Sequence, residues 1–300
     1  MSESNGSIYM FSGKGGVGKT TCAATTALHH ASLGEKTLAL STDATPSLAH
    51  IFEIKDLKKP SEVTESLFID EVGIPEVEEM WDRKFGREVY EVFSSIVSLD
   101  YDSFKEFMSS MLPGLADEFM VDYIRQLKLS GKYESIIWDT APLGQTLALL
   151  HTPSMLIEHL KLAPRIYTNF KFGQRQKSSI MEIIKGWQKL SGDCLDFLRK
   201  EVRFTIVTIP EALAFEQLDG VFKEMNRNGF KIGQLVVNNV IKSDESEFLK
   251  SKAAQQKRYL DMIYEKFPGV DIIELAMRPY EIKGIERLKE IEKSLFKQSA

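Results

Sequence analysis

Residues Gly13 to Thr20 read GKGGVGKT, four glycines and two lysines closed by a threonine. Glycines 13, 15, 16 and 18 let the backbone curl tightly enough for successive N–H groups to point at one anion. A helix starting where the run ends would add the positive end of its dipole. Lys19 is then placed to reach the β- and γ-phosphates of a nucleotide, the Thr20 hydroxyl to ligate Mg2+, and Thr21 to touch the α-phosphate. The expected ligands are ATP and Mg2+, cradled by Gly13, Gly15, Gly16, Val17, Gly18, Lys19, Thr20 and Thr21.

Such a loop works only between a strand and a helix. Ile8–Phe11 precedes it as an apolar strand, and Lys19–Leu33 follows as a helix stopped by Gly34. Further apolar runs occur at Thr37–Ser41, Ser135–Trp138, Phe204–Ile209, Leu235–Val240 and Ile272–Leu275. They are continuous rather than alternating, as parallel strands covered on both faces should be. Helical stretches, among them Glu211–Asn228 and Glu281–Lys297, separate most of them. The alternation predicts an α/β fold, a doubly wound, mostly parallel sheet of the P-loop NTPase kind. Residues 71–130 and 156–200 break the rhythm, being long, charged and amphipathic. Phe85, Val89, Phe93 and Ile96 fall at helical spacing there. They predict one helical subdomain inserted into a single domain spanning 1–300.

The bulk composition excludes several function classes. The 300 residues are 43% hydrophobic and 27% charged, with a net charge of -5. An acidic chain of this kind is no general nucleic-acid binder. Its two cysteines, Cys22 and Cys194, have no CxxC spacing, so no zinc is expected and a reducing compartment is. The polar start MSESNGS is unlike a signal peptide, and no run reaches the ~18–20 apolar residues of a membrane span. A soluble, cytoplasmic protein is expected.

Lys14, a second lysine early in the loop, resembles the deviant Walker A signature of MinD/ParA, nitrogenase iron-protein and arsenite-pump ATPases. The resemblance implies a homodimer in which Lys14 reaches the partner's nucleotide. That role is akin to an arginine finger supplied in trans, worth about 10³–10⁵ in rate elsewhere. Beyond the loop the chain resembles the arsenite-pump/tail-anchored-protein-targeting ATPase family. Ser41-Thr42-Asp43 matches the start of its switch I, STDPAHS, which implies that Asp43 positions or activates the attacking water. Here Ala44-Thr45-Pro46-Ser47 replaces Pro-Ala-His-Ser. Asp139 to Leu147 resembles switch II, DTAPTGHTL, implying that Asp139 holds Mg2+ through water. Gly144 would give a γ-phosphate sensor its backbone freedom, and Gln145 stands where the family has histidine. Ile209 to Ala214 resembles the PEALA segment. Val237-Asn238-Asn239 resembles VNQ, implying that Asn238 hydrogen-bonds adenine. Met277 to Glu286 resembles the loop that closes over adenine, with Pro279 carried over.

The resemblance also separates relatives. Cluster-binding cysteines are missing from the middle of the chain. The charges of the last helix are balanced, unlike a basic membrane-binding tail. The thiolates of a metalloid site are lacking. The targeting factors remain. Their helical insertion implies an apolar groove for the transmembrane helix of a tail-anchored client, for which Phe104, Met108, Met111, Leu112 and Met120 are candidates. A membrane receptor is a further implied partner. The alternatives are an ATPase driving a metalloid (arsenite) pump and a MinD/ParA-like regulatory switch.

Overall fold

The structure, a computed structural model, describes residues 7–43, 45, 47–94, 100–105, 115–167, 174–243 and 245–296. The chain divides into two units: Met1–Glu71, Ser130–Thr146 and Glu201–Ala300 form the first, Val72–Leu129 and Leu147–Lys200 the second.

The first unit is built on an eight-stranded sheet. In chain order its strands are β1 (Ser7–Gly13), β2 (Thr37–Ser41), β3 (Ser61–Thr64), β4 (Leu67–Glu71), β5 (Ser135–Asp139), β6 (Val202–Thr208), β7 (Ile232–Val240) and β8 (Asp271–Ala276). Their spatial order is β3-β4-β2-β5-β1-β6-β7-β8. All neighbours run parallel except the β3–β4 pair at one edge. Every residue of β2 and β5 is buried, which explains why those runs lack a polar alternation. The loop after β1, Asp43 and Asp139 all follow or end adjacent central strands. That is the crevice at the carboxyl edge where such sheets bind ligands.

Four segments complete this unit's helices: α1 (Lys19–Ser32), α9 (Ala212–Arg227), α10 (Glu247–Lys266) and α11 (Ile285–Leu295), with the single-turn α2 at Leu48–Ile51. α1 presents Ala23, Ala24 and Ala27 to a core shared with Phe11, Ile137 and Val207. These small side chains let the helix behind the phosphate loop lie close to the sheet. α11 packs Leu288, Ile291 and Leu295 into the same cluster, each contributing about 1.5–3 kcal/mol by burial. His29 of α1 stacks on Phe296 at 3.8 Å and bonds Glu292 at 2.8 Å. α11 starts at Ile285, later than the expected Glu281, because Gly284 (φ 76°, ψ 159°) is not helical.

In the second unit, α3 (Ile74–Trp81), a five-residue π-helical turn (Asp82–Gly86) and α4 (Arg87–Ser94) form one continuous rod. α5 (101–105), α6 (Leu115–Leu129), α7 (Leu143–Tyr167, in this unit from Leu147) and α8 (Gln174–Lys200) follow. The second segment therefore begins at Leu147, earlier than the sequence reading of 156, because α7 runs on unbroken through that point. Phe104 is enclosed by Trp81, Tyr90 and Tyr101, with ring centroids 5.3–6.5 Å away. Tyr101 also donates to Asp82 in the π turn.

One carboxyl of this unit is buried with little compensation. Glu118 of α6 is 2% exposed and neither carboxylate oxygen makes a well-formed hydrogen bond. Burial pushes its pKa up to about 7, partly offset by Ser191 and Cys194 alongside. A carboxyl whose folded pKa is raised stabilises the protein most below its unfolded pKa, and that contribution is lost as pH rises through about 7. Glu118→Gln should therefore be more stable than the parent at pH 8, by up to about 3 kcal/mol, and nearly equal to it at pH 4.5. Chemical denaturation at the two pH values measures the difference.

Candidate active site

The phosphate loop leaves β1 at Gly13 and enters α1 at Lys19. Its glycines serve different purposes. A Cβ on Gly13 would lie 2.2 Å from the Val207 carbonyl oxygen of β6, so this residue is glycine to let two strands approach, not to bind phosphate. Gly18 has φ 97°, and a Cβ there would meet the Asn238 amide nitrogen at 2.4 Å. Gly15 and Gly16 face open space, leaving a concavity that a side chain would fill. Gly13→Ala should therefore unfold the first unit at markedly lower temperature, by several kcal/mol. Gly15→Ala should leave the melting temperature almost unchanged while weakening nucleotide binding. Calorimetry separates the two.

Val17 is buried, and its carbonyl accepts the Asn238 Nδ2 at 2.9 Å. Lys19 is 7% exposed and its Nζ donates to the Lys14 carbonyl at 3.2 Å. Desolvation lowers the Lys19 pKa, opposed by the charges of Asp139 and Asp43. Its ammonium is thus held, dehydrated, beside the concavity of Gly15 and Gly16. Lys14 is exposed at the loop's outer face.

Asp139 ends β5 and is 1% exposed. Thr20 Oγ1 donates to its Oδ2 at 2.8 Å, Ser47 Oγ donates to the same oxygen at 3.4 Å, and Oδ1 has no partner. Burial raises its pKa to about 6, offset by the Thr20 bond and the charge of Lys19. A dehydrated carboxylate with an orphaned oxygen, beside two hydroxyls, is a hard all-oxygen donor set that fits Mg2+. One or two carboxylates suffice for that ion when substrate phosphates complete its shell. Asp43 is half-buried; its backbone N–H donates to Ser41 Oγ and its Oδ1 accepts the Thr45 N–H at 3.1 Å, forming a tight turn. Thr42 is held on both sides, its N–H on the Asp139 carbonyl and its Oγ1 on the Trp138 indole.

A cleft of about 410 Å3 opens from this site, lined by Gly16, Gly18, Thr20 and Thr21 at one end and by Asn238, Asn239, Arg278 and Tyr280 at the other. Asn239 (φ 58°) makes the irregularity near the end of β7, where its register with β8 shifts, and Gln256 of α10 clamps it by bonding the Asn239 carbonyl and the Ile241 N–H. Tyr280 is fixed by a hydrogen bond to Glu290 and by Arg287 stacked 3.8 Å from its ring. Pro279 itself is exposed and does not line the cleft, whereas its neighbours on both sides do.

Lys19, Thr20, Thr21, Asp43, Asp139 and Asn238 all belong to the first unit, with Thr20 joined to Asp139 and Asn238 to the loop. Gly144 and Gln145 are exposed in the first turn of α7; Gly144 has ordinary helical backbone and needs no special freedom in this conformation. The groove candidates fare differently. Phe104 is 1% and Met120 7% exposed, so both are core of the second unit and line no surface. Trp81, Tyr90 and Tyr101 surround Phe104, as the helical spacing alone allowed. Met108, Met111 and Leu112 lie outside the described residues. Ser47 was given no role from the sequence, although it keeps the serine that closes the STDPAHS segment; only the fold brings it, 27 residues beyond Thr20, to the Thr20 hydroxyl.

The profile of the anion-transporting ATPase family matches residues 7–297. The chain belongs to that family. As a member of it, the chain is an ATPase. An arsenical pump-driving ATPase 2 of Aquifex aeolicus is 28% identical over 304 residues, covering 96% of this chain and 98% of its own. ATPase GET3A of Arabidopsis thaliana is 28% identical, covering 92% and 80%. ATPase ASNA1 homolog 1 of Paramecium tetraurelia is 27% identical, covering 95% and 91%. Among the described residues, no helix is long and apolar enough to cross a membrane.

Proposed function

We propose that this family member is a homodimeric targeting ATPase. In this reading it holds the transmembrane helix of tail-anchored membrane proteins and releases it to a membrane receptor according to nucleotide state. The observation that carries the reading is the second unit, an all-helical body inserted at two points of the ATPase chain. One insertion point, Thr146–Leu147, follows directly on the switch residues Asp139 to Gln145 with no linker. Relatives named GET3A and ASNA1 homolog match over nearly the whole chain.

Bound Mg2+ would neutralise phosphate charge as the γ-phosphoryl group is transferred to water. The residues divide the remaining work. Backbone N–H groups at Gly15 to Lys19 orient the phosphates, and Lys19 exchanges the Lys14 carbonyl for a phosphate oxygen. Thr20 and Asp139 hold the ion. Asp43, kept in its turn by Ser41 and Thr45, accepts a proton from the attacking water. Lys14 reaches the partner subunit's nucleotide. Asn238, whose amide N–H is committed to Val17, offers its Oδ1 to the adenine amino group.

The test is co-expression with a tail-anchored protein and co-purification with and without ATP. Asp43→Asn should keep ATP affinity within about 3-fold, lose turnover by about 10²-fold or more, and trap the client in ATP. Loss of the client under every condition, with ATPase activity intact, overturns targeting and favours a regulatory switch. Normal turnover in Asp43→Asn overturns the role of Asp43.

A relative's name favours a second reading, a metalloid-pump ATPase. It would require accessible soft ligands, but Cys22 and Cys194 are both 0% exposed. Burial pushes the Cys22 thiol up to about 12, far from thiolate formation. Arsenite or antimonite should not stimulate ATP hydrolysis.

A further inference from the structure

We propose that Ser47 is the third protein oxygen at the magnesium site and that, through α2, it carries magnesium occupancy to the base-side wall of the nucleotide cleft. The proposal rests on the reading of Thr20 and Asp139 as that site.

Three observations converge on Ser47. First, its Oγ, Thr20 Oγ1 and Asp139 Oδ2 form a triangle with sides of 2.8, 3.4 and 3.5 Å. Oxygens on one face of a Mg2+ octahedron stand about 3.0 Å apart, given metal–oxygen distances of about 2.1 Å. The longer two sides both involve Ser47 and are poor as hydrogen bonds, since O–H···O bonds centre near about 2.7–2.8 Å. They suit oxygens gathered around a shared guest better than a bonded network. Second, Ser47 immediately precedes α2, where a serine hydroxyl ordinarily caps the helix, yet it makes no side-chain capping bond. The hydroxyl is turned instead to Asp139. Third, the same residue starts a short mechanical path. The Ile51 N–H donates to the Ser47 carbonyl at 3.0 Å, and the Ile51 carbonyl accepts the Gly284 N–H at 2.8 Å. Glu53 lies against Gly284, and His50 faces Glu281 at 3.7 Å. Ser47, His50 and Ile51 line the cleft opposite Tyr280, Glu281 and Ile282.

The consequence is that the ion and the base wall share one lever. Drawing Ser47 toward Asp139 moves α2, and α2 cannot move without Gly284 and the loop before it. Without Ser47, metal bound by Thr20 and Asp139 would still neutralise phosphate but would leave the base wall free.

The probe is mant-ADP, whose release is followed by fluorescence across a Mg2+ titration, with hydrogen exchange of residues 280–284 as a second readout. In the parent, Mg2+ should slow release and protect 280–284. Ser47→Ala should raise the Mg2+ concentration for half-maximal slowing about 10-fold or more and abolish the added protection. Ser47→Thr, which keeps the hydroxyl, should behave as the parent. A Ser47→Ala variant with the parent's Mg2+ midpoint and exchange pattern overturns the proposal. A parent that binds mant-ADP without any response to Mg2+ overturns the magnesium reading itself, and a parent that binds no mant-ADP overturns the nucleotide site.

Discussion

Asp139→Asn is expected to lower Mg2+-dependent ATP turnover by about 10³-fold while raising the melting temperature of the nucleotide-free protein. The two effects have one cause. Asp139 is buried with one oxygen unpartnered, and burial raises its pKa to about 6. Keeping it ionised at neutral pH costs on the order of 3 kcal/mol, a strain that asparagine removes and that Mg2+ held there, as proposed above, would relieve. The lost turnover reflects the several kcal/mol that a correctly held ion supplies to phosphoryl transfer. The pH dependence gives the sign. A carboxyl with a raised folded pKa contributes stability below about 3.8 that disappears as pH rises through about 6. The stabilisation by asparagine should therefore be large at pH 8 and small at pH 4, and Mg2+ affinity of the parent should fall as pH drops below about 6. Scanning calorimetry at both pH values and a Mg2+ titration check all three statements. A variant less stable than the parent at pH 8 would show that Asp139 is structurally paired, not strained.

Lys14→Ala should reduce turnover by about 10³-fold with nucleotide affinity changed less than about 3-fold. The expectation comes from exposure as much as from resemblance. Lys14 is exposed, whereas Lys19 is 7% exposed and bonded to the Lys14 carbonyl. In the proposed dimer, a cation so placed would act on the transition state of the partner subunit. Turnover per subunit should rise with protein concentration in the parent and lose that dependence in the variant. Equal losses in affinity and turnover would make Lys14 an ordinary binding residue of its own subunit.

The parts of the fold visible in the sequence were those fixed by local physics. β2 and β5 were legible because strands buried on both faces read as uninterrupted apolar runs. α1 was legible because Gly34 stops it, with φ 86°. The β3–β4 hairpin was missed. Its strands are four and five residues long and sit at the sheet edge, so Ser61–Thr64 carries almost no apolar signal. The start of α11 was misplaced because Pro279 and Glu281 look like a helix entrance, while Gly284 is held by Ile51, far away in sequence. Within the site, the loop was readable because its residues are contiguous. Ser47 was not, because only folding brings it to Thr20 and Asp139. Gly13 shows the opposite failure, a motif residue whose glycine character answers to β6 rather than to phosphate.

The bond from Asn238 to Val17 has an entropic meaning. It joins the end of β7 to the phosphate loop through protein atoms alone, while Gly18 lies against the same amide. Ordering a flexible residue costs about 1–2 kcal/mol, and for these positions that cost is met when the chain folds, not when ATP arrives. A loop tied to β7 in this way asks less ordering of a nucleotide that docks on it.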